Sequence, residues 1–283
     1  MFVYAVTNHK GGVGKTTAAA TLGAAFVLLG RRVLLVDLDP KASLTAAVSA
    51  GFDGATVEDL FDTPSRAERT IVPCASGMEI IPARASLAIK LRALSFVPDA
   101  KARLKTALES LKPRFDTVLI DCNSNLDGGL VNALTAADIA LVPFQCDYLS
   151  LRGLIDTEAI CGAIVQDSNP ALIVRAFASM HDRRTTYASD SLAEARAALG
   201  AQLLDAMIPR SVRLAEAPAM GISVLESSPR CSGAEAYRRL ANELIEGETH
   251  YGTTGRHPIC DTHASHSRED GSGALTIPAA AAA

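Results

Sequence analysis

The 283 residues contain no tryptophan, and aromatic side chains of every kind make up only 5%. So few rings leave little for unstacked bases to lie on, which argues against a single-strand nucleic-acid binder. Long apolar runs are missing too. Stretches such as 33–36 and 139–144 fall far short of the roughly 20 residues a helix needs to cross a bilayer. The start, Met1-Phe2-Val3-Tyr4-Ala5-Val6, has neither a basic leader nor a cleavage site and reads as a first strand. No secretory signal is therefore expected, and the cytoplasm is the expected compartment. Six cysteines (Cys74, Cys122, Cys146, Cys161, Cys231 and Cys260) form no CxxC pair, so reduced thiols are expected. An excess of positive charge is also lacking: 27 Lys and Arg face 31 Asp and Glu, a net charge of −4. That argues against adhesion to nucleic acid through bulk charge but leaves room for a local basic patch.

What the chain does have is alternation. Strand-like segments at 2–7, 32–39, 79–82, 117–121, 139–143, 173–179 and 203–208 are separated by helical patterns. These lie near 15–29, 84–95, 99–112, 127–135, 149–166, 187–199 and 233–246. Such alternation calls for a doubly wound α/β domain, a mostly parallel sheet with helices on both faces. The run Val33-Leu34-Leu35-Val36 is apolar on both sides, as a strand buried on both faces must be. No break in composition divides residues 1–246, which read as one domain without internal repeats. From 247 the texture turns to His, Gly, Thr and Ser and ends in five alanines. Residues 247–283 hold too little apolar surface to offset the entropy of ordering and are expected to be a disordered tail.

The most specific local signal is Lys10-Gly11-Gly12-Val13-Gly14-Lys15-Thr16-Thr17, set directly between a strand and a helix. Small residues let backbone N–H groups turn inward around phosphate oxygens, and the helix N-terminus adds the positive end of its dipole. Lys15 is placed to reach the β- and γ-phosphates of a nucleoside triphosphate, and the Thr16 hydroxyl to bind Mg2+. A turn that only reverses the chain has no need of Gly-Lys-Thr-Thr.

Two more segments supply acids. The second strand ends Val36-Asp37-Leu38-Asp39-Pro40, and the two-residue repeat of a strand puts Asp37 and Asp39 on the same side. They fall at the carboxyl end, where open α/β sheets bind ligands. Paired acids beside a triphosphate can hold the water around Mg2+ and orient an attacking water. The plainer alternative is a polar strand exit that caps the next helix. Thr117-Val118-Leu119-Ile120-Asp121 has the form of a Walker B strand, an apolar run ending in an acid that would meet Mg2+ through water.

Together these segments resemble the ParA/MinD family of P-loop ATPases, and ParA/Soj partitioning proteins in particular. His9 occupies the first glycine position of the ordinary loop, and Lys10 sits near its start, as in that family's deviant Walker A motif. The resemblance implies ATP and Mg2+ as ligands, with Gly11, Gly12, Val13, Gly14, Lys15, Thr16 and Thr17 around the phosphates. It makes Lys10 the lysine that contacts nucleotide across a dimer interface. It also makes Asp39 the residue that positions the hydrolytic water, and places Asp37 with Thr16 and Asp121 around the metal.

The likeness continues through Asn132-Ala133-Leu134-Thr135-Ala136-Ala137-Asp138, Pro143-Phe144-Gln145-Cys146-Asp147-Tyr148 and Met180-His181-Asp182-Arg183-Arg184-Thr185. Ile208-Pro209-Arg210-Ser211-Val212-Arg213-Leu214-Ala215-Glu216-Ala217-Pro218 matches the family's segment near the adenine base, which assigns Pro209 and Arg210 to the nucleotide. Ser232-Gly233-Ala234-Glu235-Ala236-Tyr237 opens the usual last helix.

By the same resemblance Arg184 and Arg213 match positions that contact DNA in ParA/Soj dimers. Independently, residues 175–239 hold nine arginines and no lysine against seven acids. Arginine forks suit phosphate, so non-specific duplex binding through the backbone is the expectation. Solvated or internally paired surface arginines are the bland alternative. The family implies an ATP-dependent homodimer, a ParB-like stimulating partner, slow hydrolysis, nucleoid association and no membrane attachment. The implied job is partitioning or positioning of a chromosome, plasmid or other cargo. Beginning at a strand, the chain is expected to lack the helix-turn-helix domain of longer plasmid relatives. One stretch departs from the family: Cys122-Asn123-Ser124-Asn125 stands where Thr-Pro-Pro-Ser is usual. That loop neighbours the γ-phosphate, so the change bears on hydrolysis and switching rather than on ATP binding.

Three rival readings remain. A MinD-like membrane ATPase would end in a basic amphipathic helix. Here the polar face of the last helix mixes Arg238 and Arg239 with Glu243 and Glu246, and its apolar face reads as core packing. A redox ATPase like the nitrogenase iron protein is suggested by Asp39-Pro40-Lys41-Ala42-Ser43, yet Cys74 and Cys122 lack glycine-rich surroundings for a shared cluster. His257, Cys260, His263 and His266 recur every three residues, which allows a metal cluster, although zinc spacings differ and a His-rich tail is the simpler reading.

Overall fold

In a strand, successive side chains enter opposite faces, so each central strand of a two-sided sheet feeds two cores at once. The computed structural model describes residues 1–254 apart from 53, 98, 99 and 183, without the side chains of 148–152 and 250–254. Its strands are β1 (Phe2–Val6), β2 (Val33–Leu38), β3 (Val72–Pro73), β4 (Glu79–Ile81), β5 (Thr117–Cys122), β6 (Ile139–Gln145) and β7 (Ile173–Ser179). They form one sheet in the order β3-β4-β2-β5-β1-β6-β7. Every pairing among these strands is parallel except that of the two-residue β3 with β4. The alternation is strict in β2: Leu34, Val36 and Leu38 enter one core while Val33 and Leu35 enter the other.

Helices close both faces. One core takes α3 (Val57–Asp62), α4 (Leu87–Leu94), α5 (Arg103–Leu111), α6 (Gly128–Ala136), α7 (Tyr148–Asp167) and α8 (Thr186–Leu199). The other takes α1 (Lys15–Leu28), α2 (Ser43–Ala47), α9 (Val212–Glu216), α10 (Val224–Ser227) and α11 (Ser232–Thr254). The doubly wound α/β expectation therefore holds. β1 is flanked by β5 on one side and β6 on the other, so the chain order reverses beside it. Ligands of open α/β sheets bind at such a switch point, and the loop leaving β1 is the glycine-rich one.

Two local expectations fail for identifiable reasons. Residues 203–208 do not form a strand; single bridges join Leu203 to Ala176 of β7 and Pro209 to His181 just beyond it. Between these, the amides of Asp205 and Ala206 donate to the Glu243 carboxylate at 2.7 and 2.9 Å instead of pairing with a strand. The last helix does not stop at 246 but runs to Thr254. Its extra turns are held by Glu248, which accepts from the buried Tyr4 hydroxyl at 2.6 Å and from Arg31 at 2.7 Å. The cluster around His257, Cys260, His263 and His266 lies outside the described residues.

Candidate nucleotide site

The loop between β1 and α1 is shaped by glycine. Gly12 and Gly14 have φ of 76° and 91°, the left-handed region that side chains rarely adopt. Gly14 is the N-cap of α1 and offers no side-chain cap, and the first turn carries no acid. The first amides of α1 therefore remain available to an anion. Distant side chains pin the loop from β6 and β7: Gln145 donates to the Gly12 carbonyl at 3.1 Å, and Ser179 to the Val13 carbonyl at 2.8 Å. Asn8 fixes the loop's start, donating to the Pro143 carbonyl at 2.8 Å and accepting from the Lys10 amide at 2.8 Å.

Lys15 is buried, and its ammonium donates to the carbonyls of Asn8 and Lys10, each at 3.1 Å, and to the Ser124 hydroxyl at 2.6 Å. Burial lowers its pKa, while Asp121 pulls in the other direction. The Lys10 ammonium reaches both oxygens of Asp147, at 3.0 and 3.1 Å. Neither Ser124 nor Asp147 was a candidate from sequence, although Asp147 lies inside a segment that carries the family likeness.

Parallel pairing of β2 with β5 sets Asp37 directly beside Asp121. The two differ in how they are held. Asp37 accepts from the Thr45 amide at 2.9 Å, the Thr45 hydroxyl at 2.7 Å and the Asp39 amide at 3.0 Å. It thereby ties the end of β2 to the first turn of α2. Asp121 is 1% exposed, and neither of its oxygens has a hydrogen-bond partner. Burial, then repulsion from Asp37, raises its pKa well above the ordinary carboxylate value; the nearby Thr16 hydroxyl and the Lys15 ammonium oppose this. Burial likewise raises Asp37 to about 6 against its three hydrogen bonds. Asp39 is partly exposed at the strand exit, where it accepts from the Lys41 amide at 2.9 Å.

A buried carboxylate without a donor is costly unless something cationic satisfies it. Asp121, Asp37 and the Thr16 hydroxyl at the start of α1 supply hard oxygen donors of the kind Mg2+ takes. The chemistry of this donor set thus fits a magnesium–phosphate ligand.

Beside the loop lies a cavity of about 380 Å³ lined by Val13, Thr17, Met180, Pro209, Arg210 and Val212, among others. Pro209 and Arg210 thus join the glycine loop although nearly 200 residues separate them. Arg184 and Arg213 are both exposed, each a few residues beyond the junction where His181 exchanges backbone hydrogen bonds with Ile208 and Arg210. Arg213 pairs with Glu216 at 3.2 Å. Among the described residues no helix is long and apolar enough to cross a membrane. Nor do the described residues gather three or more His, Cys, Asp or Glu as a metal group.

This glycine loop, closing a parallel strand onto a helix with a lysine and two strand-end acids around it, defines a P-loop nucleoside triphosphatase. A family model described as an AAA domain matches residues 1–174. The chromosome partitioning protein ParA of Caulobacter vibrioides is 37% identical over 255 residues, covering 87% of this chain and 94% of that one. The sporulation initiation inhibitor protein Soj of Bacillus subtilis is 35% identical over 248 residues, covering 86% and 97%. Among solved structures, a Mycobacterium smegmatis protein described as cobyrinic acid a,c-diamide synthase with bound ADP and magnesium superposes with a TM-score of 0.76 at 34% identity. That match covers 90% of this chain and 97% of the other. The Pyrococcus furiosus cell division ATPase MinD shares the fold, with a TM-score of 0.69 at 24% identity over 87% and 98%. The chain belongs to the ParA/Soj family of partitioning ATPases, within the ParA/MinD group.

Proposed function

We propose that this protein is an ATP-driven dimerisation switch that binds duplex DNA non-specifically and releases it on slow, Mg2+-dependent hydrolysis. A ParB-like partner stimulates that hydrolysis, and the cycle moves or positions a chromosome, plasmid or other cargo from a nucleoid-bound state in the cytoplasm. The observation that carries this reading is the buried, partnerless Asp121 carboxylate beside Lys15 and the glycine loop. Such a group has no stabilising use in the protein alone and suits a cationic ligand.

In this reading the amides of Gly11 to Thr17 and the Lys15 ammonium hold the phosphates, while Pro209 and Arg210 line the base. Thr16, Asp37 and Asp121 hold Mg2+, which neutralises phosphate charge when bound. Asp39, at the open strand exit, orients the attacking water. Lys10 leaves Asp147 to reach the partner's nucleotide. Arg184 and Arg213 meet the DNA backbone, and dimerisation doubles those contacts on one surface. A chain of net charge −4 needs that doubling to hold DNA at all. Residues 1–246 with the remaining turns of α11 form the ATPase domain.

Gel shifts with ATP, with ADP and without nucleotide, across a salt series, test the proposal. Binding is expected only with ATP, equally for scrambled duplexes, and with an affinity that falls steeply with salt. Arg213→Ala and Arg184→Ala should keep ATP binding, weaken the DNA complex and flatten the salt slope by roughly 0.9 for each phosphate no longer neutralised. Equal binding without nucleotide, or none with ATP at low salt, would move the track to a surface other than DNA.

A further inference from the structure

In the loop after β5, which departs from the family's usual residues, the Ser124 side chain reaches the phosphate loop. In place of two prolines, side-chain hydrogen bonds stiffen the turn. The Asn123 amide donates to Asp127 at 2.9 Å while its carbonyl accepts from the Asn125 amide at 2.8 Å. Asp127 in turn caps α6 through the amides of Gly129 and Leu130. Between these anchors the Ser124 hydroxyl stands over the phosphate loop, 2.6 Å from the Lys15 ammonium and 3.9 Å from where a side chain on Gly11 would begin.

An ammonium has three N–H donors and no more. Those of Lys15 have three acceptors: the carbonyls of Asn8 and Lys10 and the hydroxyl of Ser124. A phosphate oxygen that draws on Lys15 must displace one of them. The two carbonyls belong to the phosphate loop itself, whereas Ser124 sits on a separate loop 109 residues away in sequence. A neutral hydroxyl is also a weaker acceptor for a cation than an anionic phosphate oxygen. Ser124 is therefore the acceptor that yields.

Resting on the reading of Lys15 as the phosphate-binding cation, we infer that Ser124 is a positioning residue that competes with nucleotide for Lys15. Proline, the family's usual residue at this place, has no side-chain acceptor and cannot compete. The hydroxyl thus latches the loop after β5 to the phosphate loop, and nucleotide binding undoes the latch. The occupancy of the phosphate site is thereby passed to residues 123–127, and through Asp127 to α6.

Calorimetric titration of the full chain with ATP and with ADP, both with Mg2+, tests this in wild type, Ser124→Ala and Ser124→Thr. Ser124→Ala should bind both nucleotides about tenfold more tightly, the size expected for one competing hydrogen bond to a charged group. Ser124→Thr keeps the hydroxyl and should stay within about twofold of wild type. In steady-state turnover the alanine variant should lower KM for ATP more than it changes kcat. A merely structural Ser124 would lower Tm and leave the affinities alone. Unchanged or weaker nucleotide binding in Ser124→Ala overturns the inference, and Ser124→Gly gives the same readout should the alanine variant fail to fold. Wild type that binds no ATP would instead sink the phosphate-loop reading on which the inference rests.

Discussion

At the amino-terminal end of the central strands, Arg31, Arg32, Asp116, Asp138 and Glu248 all have partners. Arg32 donates to both oxygens of Asp116, at 2.7 and 3.0 Å from its side chain and 2.9 Å from its amide. Asp138 accepts from the Val3 amide at 2.8 Å, and Glu248 joins Tyr4 to Arg31. At the carboxyl end of the same strands, Asp121 is buried with no donor, beside a second buried acid. The amino end pairs these charges, whereas the carboxyl end leaves the Asp121 carboxylate for a ligand. Sites of function are where a fold tolerates such unfavourable groups, so the two ends should respond to mutation in opposite ways.

The largest effects belong to the carboxyl end and should fall on function. Asp39→Ala is expected to cut turnover by about a thousandfold, typical of losing a group that orients or deprotonates the attacking water. ATP binding should persist, with the dimer trapped. Phosphate release and size-exclusion with ATP check it; continued turnover with only monomer present would remove Asp39 from its role. Lys15→Ala should weaken ATP binding by about a hundredfold or more, because the phosphates lose their main charge-assisted donor. A fluorescent-ATP titration that shows unchanged affinity would break the nucleotide assignment of this end.

Stability should move the other way at the same place. Asp121→Asn removes an acid whose ionised form finds no partner, so the variant should gain Tm by a few degrees at pH 8, about 1 kcal/mol, while losing Mg2+-dependent turnover. The pH dependence follows from the raised values. Folded Asp37 and Asp121 hold protons that the unfolded chain has already released near pH 4. Their contribution is full below about pH 4 and is lost as pH rises, through about 6 for Asp37. The Tm advantage of Asp121→Asn should therefore shrink as the solution is acidified from pH 8 to 5. A melting series in which the gap is constant, or in which the variant is less stable throughout, would contradict the contrast between the ends.

Much of this contrast was legible in the sequence because it is written locally. The glycine loop, the apolar run of 33–36 and the acids at strand exits each lie within a few residues, and an apolar run ending in an acid marked Asp37 and Asp121 alike. What stayed hidden is carried by side chains that meet across long separations. Lys10 meets Asp147 over 137 residues, and Ser179 reaches Val13 over 166. Glu248 reaches Tyr4 over 244, which is why polar-looking residues past 246 continue as helix. The missing strand at 203–208 has the same cause, since Glu243 takes the amides that a strand would have used. Propensity cannot register a competitor that arrives from another element.

The smallest effect should come from the amino end, and its pH sign should be the reverse. The Arg32 side chain holds the Asp116 carboxyl well below the usual carboxylate range. A group with a depressed folded value stabilises above its unfolded pKa, near 4, and that contribution is lost as pH falls further. Asp116→Asn should therefore lower Tm at pH 7 and converge with wild type at the acid end of the series, where Asp121→Asn has also lost its gain. The magnitude must be small, because the side chains of Arg32 and Asp116 are 56% and 36% exposed and water screens them. Added salt should erase most of the difference at pH 7, as it does for exposed pairs within reach of the ion atmosphere. Melting curves at pH 7 and pH 2, each at low and high salt, decide the point. A Tm loss at Asp116 that exceeds the gain at Asp121, or that survives both acid and salt, would mean that the amino end depends on this pair for its fold.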